Sequence, residues 1–208
     1  MLVIGITGGA GAGKSAILDH IEQKYSDRCL IIKADEVANR IKLKGEAGYE
    51  PIVRLLGKDI LGDDGEIDRK RMAGALFGNG ELLDKVNGIL HPLVNDEILG
   101  RIEDERMRGV YAIVFIEAAL LIENGYDKLT DEMWYVYASE ETRKKRLKQT
   151  RGYDDDRISG IFGAQLSEEE FRRASDLVID NDGDRERAYS QTDEAVMDRI
   201  GGLFYAKR

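Results

Sequence analysis

The stretch Gly8-Gly9-Ala10-Gly11-Ala12-Gly13-Lys14-Ser15 constrains this chain more than any other. It follows the apolar run 2–6 and precedes Ile17, Leu18, Ile21 and Tyr25, whose spacing places them on one helical face. The chain must therefore pass from a strand through a glycine-rich turn into a helix. Glycines let such a turn curl so that its backbone N–H groups face inward, and the N-terminus of the next helix adds positive potential. The product is an anion cradle. Its exit residues fit a nucleoside triphosphate: Lys14 as a point charge on the β- and γ-phosphates, Ser15 as a hydroxyl ligand of the bridging Mg²⁺. G-x-x-x-x-G-K-[ST] in this context is the phosphate-binding P-loop. It predicts ATP and Mg²⁺ as ligands, with Gly9, Ala10, Gly11, Ala12, Gly13, Lys14, Ser15 and Ala16 along the nucleotide. Ala16 stands where many such loops carry a second hydroxyl, which weakens the grip on the α-phosphate.

Four further apolar runs, residues 30–32, 110–116, 133–137 and 177–179, are short and nearly continuous. Continuous rather than alternating apolar character marks strands buried on both faces, as in a parallel sheet between helices. The expected class is α/β, a three-layer P-loop NTPase-type fold. Residues 35–107 hold no convincing strand. They carry helical stripes at Val37/Ile41, Met72/Leu76, Leu82/Val86/Ile89 and Ile98/Ile102, with turn clusters at 62–65 and 78–80. Pro92 should break or restart a helix there, which predicts several short helices. Further on, Ser139 before Glu140 and Glu141 reads as an N-cap, and Ser167 with Glu170 as a capping box. Residues 185–200 read as a terminal helix. The expected division of this single domain is a nucleotide-binding core of residues 1–33, 108–138 and 174–208, a helical substrate-binding insertion of residues 34–107, and a lid of residues 139–173.

Composition excludes other classes. With 31 Lys and Arg against 40 Asp and Glu the net charge is -9, which argues against a nucleic-acid surface, so an anionic ligand must be met locally. No apolar run approaches the ~20 residues of a spanning helix, and the N-terminus lacks the marks of a secretion signal. The one cysteine, Cys29, cannot form an internal disulfide. The expectation is a soluble, cytoplasmic protein, monomeric or weakly self-associating, without membrane or nucleic-acid partners.

Beyond the loop, ordered matches along nearly the whole chain resemble the dephospho-CoA kinase family. Ile6-Thr7-Gly8-Gly9 through Lys14-Ser15 resembles its opening, and Ala34-Asp35 the latter half of its D-A-D, with Lys33 in place of the first acid. Ile67-Asp68-Arg69 with Met72 and Phe77, and Leu90-His91-Pro92, follow. Leu120-Leu121-Ile122-Glu123-Asn124-Gly125 is similar to its P-L-L-x-E-x-G, with Ala119 where proline is usual. Arg146 and Arg151, Ala164-Gln165 and Val178-Ile179-Asp180-Asn181 resemble its lid and closing strand. The resemblance implies a five-stranded parallel sheet and ATP-dependent phosphorylation of the ribose 3′-hydroxyl of dephospho-CoA, giving CoA and ADP, the last step of coenzyme A biosynthesis. The alternatives are another P-loop small-molecule or nucleoside monophosphate kinase, or a P-loop switch.

Candidate roles follow. Asp35, at the carboxyl end of the second strand and expected beside the first, is the candidate base for the acceptor hydroxyl, with helix capping as its alternative. Lys14 and Arg146 are the other candidate catalytic groups. The resemblance implies Arg151 at the nucleotide and Asn181 and Gly183 near its adenine, with a simple turn as the alternative for these two. It implies Arg69 and His91 at the dephospho-CoA, with packing or capping beside Pro92 as the alternative for His91. Lys33 faces solvent or an acceptor phosphate. Glu117, ending the third strand, holds a Mg²⁺-bound water or a structural ion pair. The basic run Arg143, Lys144, Lys145, Arg146, Lys148, Arg151 reads mainly as a solvated helix face, with Arg146 and Arg151 the exceptions.

Overall fold

In the computed structural model the described residues are 1–118, 121–122 and 125–205; Ala119, Leu120, Glu123 and Asn124 of the family-like segment lie outside them. Five strands, β1 (Leu2–Thr7), β2 (Cys29–Lys33), β3 (Ile113–Glu117), β4 (Glu132–Tyr137) and β5 (Leu177–Asp180), form one parallel sheet in the order β2-β3-β1-β4-β5. The expected place of β2 beside the first strand is corrected: β3 lies between them. The third strand is also shorter than its apolar run. Val110 is 58% exposed, and Gly109, with φ 65°, turns the chain out of the preceding helix before pairing begins.

One sheet face is a period-two row of Ile4, Ile6, Ile113, Phe115, Trp134, Val136 and Ile179. Helix α1 (Lys14–Tyr25) packs Ile17, Leu18 and Ile21 against it, beside Ala188, Val196 and Ile200 of the C-terminal helix. These are the residues whose helical spacing predicted that face. On the other sheet face Tyr135 stacks on Phe171 at 5.1 Å. There Gly5 leaves room for a close approach: a Cβ on it would lie 2.5 Å from Met133 Sδ.

Contacts divide the chain into two compact units, Met1–Ile32 with Ile102–Arg208, and Lys33–Arg101. The second contains α2 (Ala34–Ile41), α3 (Tyr49–Leu56) and α4 (Arg69–Leu76), and most of α5 (Gly80–Arg108), which continues into the first. Helix α5 corrects the expectation of several short helices, since it runs 29 residues through Pro92. Pro92 removes the N–H that would reach the Gly88 carbonyl. Val86, Leu90, Val94, Ile98 and Ile102, each four residues from the next, form one buried stripe across the proline. Burying that stripe outweighs the cost of a proline inside a helix, about 3 kcal/mol.

The first unit also contains α6 (Glu140–Arg151), α7 (Asp155–Gly163), α8 (Glu168–Arg173) and α9 (Arg185–Tyr205). Ser139 caps α6 through the Thr142 N–H, and the Ser167–Glu170 capping box is complete. Helix α7 was not read from the sequence. Its polar lead-in contains its cap, Asp154, which accepts from the Arg157 N–H at 2.8 Å.

Candidate active site

The loop between β1 and α1 has the shape that its glycines permit. Gly8, Gly11 and Gly13 have φ of 144°, 82° and 98°, where a side chain is strained. Neighbours also press on it. A Cβ on Gly8 would lie 2.5 Å from the Val136 carbonyl oxygen, and one on Gly13 2.3 Å from Asn181 Nδ2. Lys14 opens α1 and donates its ammonium to the Gly8 carbonyl at 2.7 Å, so its charge is folded over the loop. Ser15 and Ala16 follow in the first turn of α1, where helix polarity favours an anion. Not every loop N–H faces a ligand as expected: that of Ala12 turns onto the Gly9 carbonyl at 3.0 Å.

Helix α6 supplies guanidinium groups to this loop. Arg146 donates to the Ala12 carbonyl at 3.2 Å and to the Asn181 carbonyl at 2.8 Å. Burial, and next the charge of Arg185, lower its pKa, with Asp182 opposing; a guanidinium remains charged regardless. The expectation of a solvated face for Arg143 is corrected. A Cβ on Gly9 would lie 2.0 Å from Arg143 Nη1, and the Arg143 guanidinium carbon sits 4.3 Å over the Phe162 ring. Lys144 and Lys148 turn away and pair with Asp155 at 2.6 and 2.8 Å, holding that carboxylate down at about 2. Arg151 lies exposed at the end of α6, 6.0 Å from the Tyr153 ring, and is not drawn to the loop.

Asn181 is buried just after β5, and its amide donates to the Ala12 carbonyl at 2.7 Å. Next to it, Asp182 accepts from the Ser139 hydroxyl at 2.6 Å and the Ser139 N–H at 2.8 Å, bonds that lower its pKa and tie β5 to the start of α6. Gly183 is exposed in the following turn. Glu117 is in register with Ile6, two residues before Gly8. Gln165, quoted only within a two-residue match, reaches the loop with its side-chain oxygen 3.0 Å from the Ala10 nitrogen.

The helical unit holds the remaining candidates. Lys33 is the N-cap residue of α2, so Asp35 lies in the first turn instead of capping the helix. Its carboxylate is exposed. Lys33 pairs with Glu36 at 3.7 Å. Lys42, which sequence reading passed over, ends α2. Burial and then the charge of Arg69 lower its pKa, while Asp35 raises it, so these three groups share one electrostatic neighbourhood. Arg69 begins α4 behind its cap Asp68. His91 is exposed in the middle of α5, neither packed nor at a helix end.

The donor set fits a metal nucleotide. Among the described residues no group of three or more His, Cys, Asp or Glu could hold a metal by itself. Mg²⁺ bound through a single protein hydroxyl takes its other ligands from phosphates and water, and Ser15 at the cradle's exit is such a hydroxyl. Among the described residues no helix is long and apolar enough to cross a membrane.

Known proteins are similar over nearly the whole chain. The family model described as dephospho-CoA kinase matches residues 2–186. A dephospho-CoA kinase of Carboxydothermus hydrogenoformans is 38% identical over 91% of this chain and 90% of its own, and one of Symbiobacterium thermophilum is 32% identical over 97% and 83%. A crystal structure of a Thermus thermophilus protein superposes with a TM-score of 0.78 at 27% identity, covering 94% of this chain and 96% of that one. A Campylobacter jejuni dephospho-CoA kinase, 20% identical with a TM-score of 0.66 and covering 95% and 96%, shares the fold. With its phosphate cradle on a five-stranded parallel sheet, and these matches at nine-tenths of its length, this chain belongs to the dephospho-CoA kinase family.

Proposed function

We propose that the chain transfers the γ-phosphoryl group of ATP to the ribose 3′-hydroxyl of dephospho-CoA, releasing ADP and coenzyme A as the last step of coenzyme A biosynthesis. The observation that carries this reading is the Gly8–Ser15 cradle, with Lys14 folded over it, on a chain of this family. The bond from Pγ to the ADP oxygen breaks as a bond from Pγ to the ribose 3′ oxygen forms. Lys14, the loop N–H groups and Arg146 hold the phosphates and balance the charge that gathers on the departing oxygen. Mg²⁺, with Ser15 as its protein ligand, supplies further neutralisation when bound.

Asp35 accepts the 3′-hydroxyl proton. Its support is its place in the first turn of α2 and the cations Lys42 and Arg69 in the same neighbourhood, which suit a phosphate-bearing acceptor. Arg69 and His91 bind dephospho-CoA. Arg146 and Asn181 serve the nucleotide, with residues 139–173 as the lid that excludes water. The reaction takes place in the cytoplasm, on a monomer or weak homo-oligomer with no membrane or nucleic-acid partner.

Coupled ADP release tests the substrate. Turnover should require dephospho-CoA and be absent with nucleoside monophosphates; turnover with a monophosphate and none with dephospho-CoA would overturn the reading.

A further inference from the structure

Besides the Ala12 N–H turned onto the Gly9 carbonyl, two donors of the cradle are engaged by protein oxygens: the Lys14 ammonium by the Gly8 carbonyl, and the Ala10 N–H by the side chain of Gln165. The second contact joins residues 155 apart in sequence, and its geometry is what a bound anion would offer, an oxygen held 3.0 Å from a loop nitrogen. Gln165 is anchored for the task. Its N–H donates to the Phe162 carbonyl at the end of α7, and the Phe162 ring lies under the Arg143 guanidinium pressed on Gly9. Gly9 leaves the space: the Gln165 oxygen would be 3.3 Å from a Cβ placed there. The other end of α7 is tied to α6 by Asp155 with Lys144 and Lys148. The Gln165 contact is therefore where the end of α7 meets the phosphate loop.

Resting on the reading of the loop as an ATP site, we propose that Gln165 is an internal competitor for the phosphate subsite: its amide oxygen holds the Ala10 N–H until a phosphate oxygen displaces it, so that phosphate arrival releases the end of α7. One N–H makes one good hydrogen bond, so the two acceptors exclude each other at that donor. The net value of such a bond corresponds to roughly a three- to tenfold change in phosphate affinity. A neutral amide is the suitable competitor. A carboxylate at the same position would bind the nest as a tethered anion and oppose the nucleotide by charge as well.

Calorimetric titration of the purified wild-type protein and of Gln165→Ala and Gln165→Glu with ATP, ADP and adenosine tests this. Gln165→Ala should bind ATP and ADP roughly three- to tenfold more tightly, and Gln165→Glu more weakly than wild type. Adenosine, which has no phosphate, should bind all three alike. A merely structural side chain would not move the two variants in opposite directions. Unchanged or weaker ATP binding by Gln165→Ala, tighter or unchanged binding by Gln165→Glu, or an equal shift for adenosine overturns the proposal. Failure of the wild-type protein to bind ATP overturns the underlying reading and the competitor with it.

Discussion

At the scale of single residues, the cradle's chemistry was legible because it is local: glycine spacing, a lysine and a serine at the helix start carry the argument without knowledge of the fold. The guanidinium partners were less so. Arg143, Leu147 and Arg151 share one face of α6, but Arg151 lies eight residues and about 12 Å further along the axis than Arg143. The first-turn arginine meets the loop and the last-turn one does not. Counting from the helix start would have favoured Arg143; Gln165 left no such signal, because its contact is set by where α7 ends. Asp35 carries the sharpest prediction at this scale. Asp35→Asn keeps the shape and removes the proton acceptor, so kcat should fall about 100-fold or more with ATP affinity unchanged. Single-turnover kinetics beside a direct ATP titration would measure both, and a kcat within a few-fold of wild type would remove Asp35 from the role of base.

Secondary-structure elements were predicted well where apolar period alone decides, and badly where one residue type was given too much weight. Pro92 argued for a break, but the stripe Val86 to Ile102 continues in steps of four on both sides of it, and tertiary burial prevails over propensity. Helix α7 was hidden by acids that turned out to be its cap and first turn. The pairing of α1 with α9 was visible only as two apolar faces, whereas the structure adds a polar clamp. Asp193 accepts from Tyr25 at 2.9 Å and pairs with Lys24 and His20, whose ring stacks on Tyr189 at 4.2 Å. Burial, then the Asp193 hydrogen bond, push the Tyr25 phenol up to about 12 from 10.0, and burial pushes the neighbouring Cys29 thiol up to about 12 from 9.0. Both groups are raised, so their contribution to stability is whole below the unfolded values and lost as pH climbs through the window from 9 to 12. The thermal midpoint should therefore decline with pH across that window, more shallowly in Tyr25→Phe; equal slopes in the two proteins would show that the phenol does not contribute.

For the molecule as a whole, the parallel sheet was legible and its strand order was not. Buried strands announce themselves by continuous apolar runs, but the runs do not say which neighbours pair, and placing β2 beside β1 overlooked β3 between them. The acidic total, a net charge of -9, makes the local supply of positive charge all the more telling: Lys14, Arg143 and Arg146 gather at one loop of the nucleotide-binding unit, and Lys42 and Arg69 lie near Asp35 in the helical unit. In the proposed reaction the terminal phosphoryl of ATP passes to one particular ribose oxygen, and phosphorus NMR of the product formed from ATP and dephospho-CoA reads out which one. A single new phosphomonoester coupled to the ribose 3′ proton should appear, in amount equal to the ADP formed; a phosphate at any other position, or ADP formed with inorganic phosphate alone, would overturn the assignment.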